Sequence, residues 1–317
     1  MKSKHFTNLL LGFCLLFFLL TDLHATLESV EHKKRPNILI LSGPNYVKVV
    51  NSLDGLLPEE KFNTKIIYIK KEEAIDKIDG SIDFIITVGR EATLRTNHYL
   101  ASIPKAAPQL AVLIPHRMYN RIESELKDNV DKTRKITAIY REQPVDRQIN
   151  LITKLLPDAK TIGVLTSMYD PNSIIELKQA VMKKNLNLMI TENKKREDLI
   201  DSLKNVLSNS DVLLTLPDPE IYNPFTAKGI LVTSFRRGIP LIGYSKTYVD
   251  AGAVAAVYTR SSQIAQQAAA ITNHYFTKNT ILPPSYPAQY SIAMNQDMLL
   301  KLAEQRKRRS LSKLTKN

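Results

Sequence analysis

Short apolar runs alternate with amphipathic stretches along almost the whole chain. The runs at 37–43, 65–69, 83–89 and 110–115 are continuously apolar at their centres. That pattern suits parallel strands covered on both faces, where no residue turns to water. Helical periodicity fills the intervals at 45–57, 90–101 and 118–127, with Pro58 closing the first. The rhythm then restarts. A short extended segment at 136–141 leads to a helix at 144–156, with Pro144 near its start and Pro157 beyond its end. Strands follow at 161–167, 187–191, 211–216, 240–245 and 253–258. Helices follow at 172–185, where Asn172 or Ser173 supplies the cap, and at 196–209, 223–237 and 261–278. A last strand is expected at 290–295.

Strict alternation predicts an α/β fold with doubly wound parallel sheets. Two rounds of it predict two lobes joined by a hinge. The expected division is an N-terminal lobe at 26–135, a C-terminal lobe at 136–289, a return strand and helix at 290–303 that crosses back to the first lobe, and a basic tail at 304–317 that ends as a frayed helix. Open sheets of this kind bind ligands at the carboxyl ends of their strands. Two such edges facing each other make a cleft that a hinge can close.

The start of the chain bears on compartment. Lys2, Lys4 and His5 precede an apolar run, 9–20, that falls short of the roughly 20 residues a spanning helix needs. A basic start before a short apolar run is the form of a secretory signal, here 1–25 with cleavage after Ala25; an uncleaved anchor is the other reading. Cys14, inside that run, is the only cysteine, so the exported chain would have neither disulfides nor cysteine metal sites. The net charge of +13 is concentrated in clusters at 32–35, 183–184, 194–196 and 306–309. No aromatic stripe runs among them to stack bases, so nucleic acid is not expected as a partner. A periplasmic monomer is.

Three segments carry a resemblance. SDVLLTLPDPEIYNPFTAKGILVTSFRRGIPLIGYSKTYVDAGAVAAVY (210–258) holds a strand ending in an Asp-containing turn at Asp218, a helix, a Pro-led strand at 240–243 and a small-residue segment at 252–256. ITAIYREQPVDRQINLITKLLPDAKTIGVLTS (136–167) reads as an interlobe crossover, a helix and the next strand. IITVGREATLRT (85–96) reads as strand, glycine and helix. In order and spacing these resemble the periplasmic substrate-binding proteins of ABC transporters, in the branch that includes binders of tryptophan and related aromatic amino acids. The resemblance covers about 36–298 and implies a type I periplasmic-binding-protein-like fold. It also implies capture of a small ligand and delivery to a membrane permease. Arg90, Glu91, His116 and Arg117 stand where that family often carries small Thr or Ser, which implies a divergent member.

Candidate cleft residues follow from the strand ends. Ser42 and Asn45 flank Gly43 after the first strand and offer donors, or form an ordinary turn with an Asn cap. Thr87 and Arg90 follow the third. Arg90 suits a carboxylate or phosphate, and equally an ion pair with Glu91 or Asp83. His116 after the fourth is either a pH-sensitive contact or a loop residue. In the second half Thr166, Ser167 and Tyr169 follow one strand, Asp218, Tyr222 and Asn223 another, and Tyr244 and Ser245 a third. Asp218 suits a ligand ammonium, or a turn between Pro217 and Pro219. The tyrosines suit a sugar, an aromatic ring or an amino acid, or they pack the lobe surface.

Catalysis is not expected. No nucleophile elbow surrounds any Ser, and no glycine-rich phosphate loop appears among only 10 glycines. No paired histidines mark a metal, and no cofactor is implied. The leading expectation is a solute-binding protein serving an ABC permease. The other is a ligand-sensing accessory module for a receptor or outer-membrane uptake system.

Overall fold

A computed structural model of the protein describes residues 34–69, 78, 80–103, 105–128, 134–167 and 171–314. The expected signal segment, Cys14 and Tyr169 lie outside the described residues. The first sheet contains β1 (Asn37–Ser42), β2 (Asn63–Tyr68), β3 (Phe84–Val88), β4 (Gln109–Ile114) and β5 (Ile136–Tyr140), in the order β2-β1-β3-β4-β5 with every pairing parallel. Its helices include α1 (Val47–Asp54), α2 (Arg90–Leu100) and α3 (His116–Asp128). Strand β3 is buried at every position and β1 at all but its first, as continuous apolar runs require.

The second sheet contains β6 (Thr161–Thr166), β7 (Asn187–Glu192), β8 (Val212–Leu214), β9 (Leu241–Gly243), β10 (Ala255–Tyr258) and β11 (Ser291–Met294), in the order β11-β10-β9-β8-β6-β7. All its pairings are parallel except β11 on β10. Helices α4 (Val145–Leu155), α5 (Pro171–Met182), α6 (Leu199–Ser208), α7 (Ala227–Arg236), the short α8 (Lys246–Asp250), α9 (Ser261–Lys278) and α10 (Gln296–Leu314) complete the chain. The two-lobed α/β architecture is as the alternation predicts.

The division between lobes differs from expectation. Residues 136–140 form β5 of the first sheet, so the second lobe begins after them. Helix α9 also belongs to the first lobe. It buries Ile264, Ala265, Ala268, Ala269 and Ile271 in the same core as Ile38, Val50, Leu53 and Phe84. Its alanines let it approach closely, and Tyr275 and Phe276 stack on Phe84 at 5.0 and 5.8 Å. Amphipathic periodicity shows that such a helix has a buried face, but not which sheet covers it. The last strand does not cross back: β11 pairs with β10 in the second sheet. What returns to the first sheet is Ser285, which lies beside β5 and exchanges backbone hydrogen bonds with Ala138 and Tyr140. Residues 304–314 continue α10 as regular helix, rather than a tail.

The chain therefore crosses between lobes at 141–144, at 259–260 and after Ser285. Side chains tie the crossings together. The Gln143 amide donates to the Thr259 hydroxyl, which donates to the Gln289 carbonyl at 3.2 Å. Arg147 donates to the Pro287 and Ala288 carbonyls at 2.7 and 3.3 Å and lies over the Tyr290 ring at 4.5 Å. The middle crossing joins the carboxyl end of β10 to the start of α9 through Thr259 and Arg260 alone. Such a link spans at most roughly 11 Å. It brings the carboxyl edge of the second sheet close to the helix starts at the carboxyl edge of the first.

Candidate functional site

In each sheet the first strand lies between the next two: β1 between β2 and β3, and β6 between β7 and β8. These are the topological switch points, where diverging connections open a crevice. The first-lobe crevice is floored by Gly89, at φ 90° and ψ 163°, a conformation open to glycine alone. A Cβ built there would meet the Tyr46 ring at 2.2 Å. The Tyr46 ring therefore packs against the β3 tip, placed by the turn at Pro44–Tyr46 that follows β1 after Gly43.

The predicted first-lobe residues are not alike. Ser42 is fully buried and donates to the Gly43 carbonyl at 3.0 Å, whereas Asn45 is exposed. Thr87 faces inward: its hydroxyl meets Thr93 Oγ1 at 3.0 Å and accepts from Gln109 Nε2 at 3.2 Å. It thus holds α2 to the sheet. Arg90 is exposed as the first residue of α2. Its expected partner Glu91 pairs instead with Arg95 at 3.5 Å. His116 opens α3. Its backbone N–H donates to Glu142 Oε2 at 3.1 Å, and its ring packs on Tyr140 at 4.5 Å and Tyr286 at 5.8 Å. Tyr286 in turn donates to Glu176 of α5 at 3.4 Å, a contact from the hinge into the second lobe.

Burial first, then the charges of Glu123, Glu142 and Glu176, pushes the Tyr140 phenol up to about 12. In an unfolded chain tyrosine ionises near 10. The fold therefore favours the neutral phenol. That contribution is fully present below pH 10 and is lost as pH rises toward 12. Tyr140→Phe should make the alkaline loss of stability between pH 10 and 12 shallower, as read from urea unfolding midpoints.

The second-lobe crevice is organised around Asp218, which is 8% exposed. Oδ2 accepts the Ser167 backbone N–H at 2.7 Å and the Thr166 hydroxyl at 3.3 Å. The Ser167 hydroxyl lies at 2.8 and 2.9 Å from the two carboxylate oxygens, and the Glu220 N–H at 3.2 Å from Oδ1. Asp218 thus fastens the β8 loop to the β6 tip across the switch point. Tyr222 is buried behind it, donating to the Leu165 carbonyl at 3.2 Å. Burial drives its phenol far above the ordinary range. Tyr244 stacks on Tyr248 at 4.9 Å and donates to the Tyr222 carbonyl at 3.4 Å. Burial also raises its phenol, with Arg141 opposing the rise from beyond β5. Ser245 precedes α8 without a side-chain cap. Asn223 is a turn residue: Oδ1 accepts the N–H groups of Phe225 and Thr226, and Nδ2 donates to the Pro219 carbonyl. That turn delays the helix expected from 223 until Ala227. It also holds Phe225 outward, 87% exposed.

Sequence reasoning missed Tyr46, Arg141, Glu142 and Asn193. Asn193 follows β7 and donates its N–H to the Thr166 carbonyl at 2.8 Å, and its buried Oδ1 has no hydrogen-bond partner. Tyr46 had a signal, an aromatic two residues past the Pro44 that follows a strand. Arg141 and Glu142 end an extended segment that, as a sequence, looked like plain crossover. Among the described residues, no group of three His, Cys, Asp or Glu is placed to hold a metal ion. No described helix is long and apolar enough to cross a membrane.

Residues 82–297 match the family model for ABC transporter substrate binding proteins. The chain belongs to that family. The match takes in β3 through β11, and hence the second-lobe crevice and the β3 side of the first-lobe crevice of this substrate-binding protein. Solved structures with a similar fold include a ligand-free, open substrate-binding protein with adhesive properties from Clostridium difficile, at 16% identity and a TM-score of 0.66, covering 84% of this chain and 95% of that one. A conserved domain protein of Vibrio cholerae matches at 20% identity and a TM-score of 0.59, covering 85% and 95%. An ABC domain from Streptococcus pneumoniae in complex with L-Trp matches at 17% and 0.58, covering 84% and 94%. No curated protein sequence matches the substrate-binding protein.

Proposed function

We propose that the protein captures a small zwitterionic or polar solute, an amino acid foremost, between its lobes and delivers it to an ABC permease outside the cytoplasmic membrane. The observation that supports this most directly is the pair of switch-point crevices brought together by a two-residue crossing. On the first-lobe side, Arg90 stands exposed at the start of α2, where backbone N–H groups and the helix dipole favour an anion. A ligand carboxylate fits there. On the other side, the Asp218 bracket holds the Ser167 hydroxyl at the β6 tip. Aromatic surface is available from Tyr46 and the Tyr244 stack. A ligand touching both lobes binds the closed arrangement better than the open one, and so shifts the population toward closure.

The expectation of export rests on the basic start and the apolar run at 9–20. A thermal-shift panel of amino acids, with L-Trp included, checks the reading. A true ligand at a hundred times its dissociation constant should stabilise the protein by about 2.7 kcal/mol. Arg90→Ala should weaken a carboxylate-bearing ligand with little effect on the unliganded midpoint. Stabilisation by no small solute, or binding indifferent to Arg90 and Ser167, would reject this cleft assignment.

A further inference from the structure

Opposite the cleft, the second lobe ends in a basic pole. Lys160 precedes β6, Lys183 and Lys184 close the turn between α5 and β7, and Arg236 ends α7 just before β9. All four are exposed and stand at the amino ends of strands. Helix α10 brings more charge to the same end. Arg306 donates to the Asp211 and Gly238 carbonyls at 2.9 and 3.1 Å, pinning the helix across the starts of β8 and β9. Lys307 and Arg308 follow it into solvent. Carboxylates at this end include Asp158, Asp211, Asp297 and Glu304, fewer than the basic residues around them, and Asp211 is engaged with the backbone N–H groups of Lys160 and Thr161. Lysine and arginine at helix ends are commonplace because they suit the helix dipole. Here residues on separate elements converge on one surface, held there by a helix clamped to it.

We propose that this pole docks on an anionic lipid bilayer, independently of the cleft and its ligand. Clustered Lys and Arg are drawn to acidic headgroups with each charge contributing separately, and salt screens the attraction. A membrane fits better than nucleic acid because the described aromatic beside these charges, Phe235, is packed against the second-lobe core rather than held out to stack bases.

The test uses the full chain and sedimentation with vesicles of phosphatidylglycerol and phosphatidylcholine, against phosphatidylcholine alone. The apolar run at 9–20 would act on both vesicle types, so the readout is the difference between them. Lys183→Gln, Lys184→Gln, Lys307→Gln and Arg308→Gln together should lower acidic-vesicle affinity by about a hundredfold or more. The wild-type affinity should fall steeply with salt. A charge-matched control on the first lobe, Lys48→Gln, Lys61→Gln, Lys105→Gln and Lys278→Gln, should change it little. Thermal midpoints confirm that both variants fold, and ligand stabilisation shows that the cleft is intact. Equal losses from the two variants, no preference for acidic vesicles, or tighter binding to a DNA duplex than to vesicles would overturn the proposal.

Discussion

Asp218→Ala is expected to lower the unfolding free energy by about 3 kcal/mol and to remove ligand-dependent stabilisation altogether. The carboxylate is buried and receives the Thr166 hydroxyl and the Ser167 and Glu220 N–H groups, with the Ser167 hydroxyl beside both of its oxygens. Truncation leaves those groups without their acceptor in a site that water reaches poorly. Each abandoned bond to a charged group costs about 1.5–3 kcal/mol, with partial relief as the loop relaxes. The functional loss has the same origin, since Ser167 owes its position to this carboxylate. Asp218→Asn keeps the shape and one of the two accepting oxygens, and should lose less on both counts. Urea unfolding and calorimetric titration with the ligand found by the thermal-shift panel measure the two effects. Stability within about 0.5 kcal/mol of wild type would show that the bracket is ornamental.

Gly89→Val should be more damaging to the first lobe, by about 3–5 kcal/mol. Two costs combine. A side chain at φ 90° and ψ 163° occupies a region reserved for glycine, at about 1–3 kcal/mol. Its Cβ also collides with the Tyr46 ring, whose nearest atom would lie 2.2 Å away. Overpacking of this kind adds about 1–3 kcal/mol. A double-mutant cycle separates the two. Tyr46→Ala in the Gly89→Ala background should recover the collision and leave the backbone cost. Full recovery would mean that the backbone at residue 89 tolerates a side chain after all, and no recovery would mean that the ring is not the obstacle.

The architecture was readable because it is written in local periodicity. NILILS and FIITV can only be strands with both faces covered, and the order of such runs fixes the class. What periodicity lacks is an address. Helix α9 carries a small-residue stripe that looks the same whichever sheet it covers, and the chain gives it to the first lobe. The final strand likewise shows its alternation but not its partner. Among the candidate site residues, position after a strand was legible and direction was not. Thr87, Tyr222 and Asn223 stand where expected, but their polar atoms are engaged with Thr93, Leu165 and the turn backbone. Asp218 and Ser167 were both singled out, but the hydrogen bonds that join them are tertiary. Tyr46 escaped notice because its role depends on the missing side chain of a residue 43 positions later.

The Gln143–Thr259–Gln289 ties have a mechanical corollary. A single tether would let two bodies swivel freely, and two would still allow torsion about the line between them. Three straps, cross-braced by hydrogen bonds and by Arg147, restrict the halves to something close to one coordinate of travel. Jaw-like opening remains permitted while sideways sliding is resisted. Under the proposed function, a membrane partner would then meet one of two rim geometries, ajar or shut, and would tell a loaded protein from an empty one by the spacing of its edges, without touching the solute.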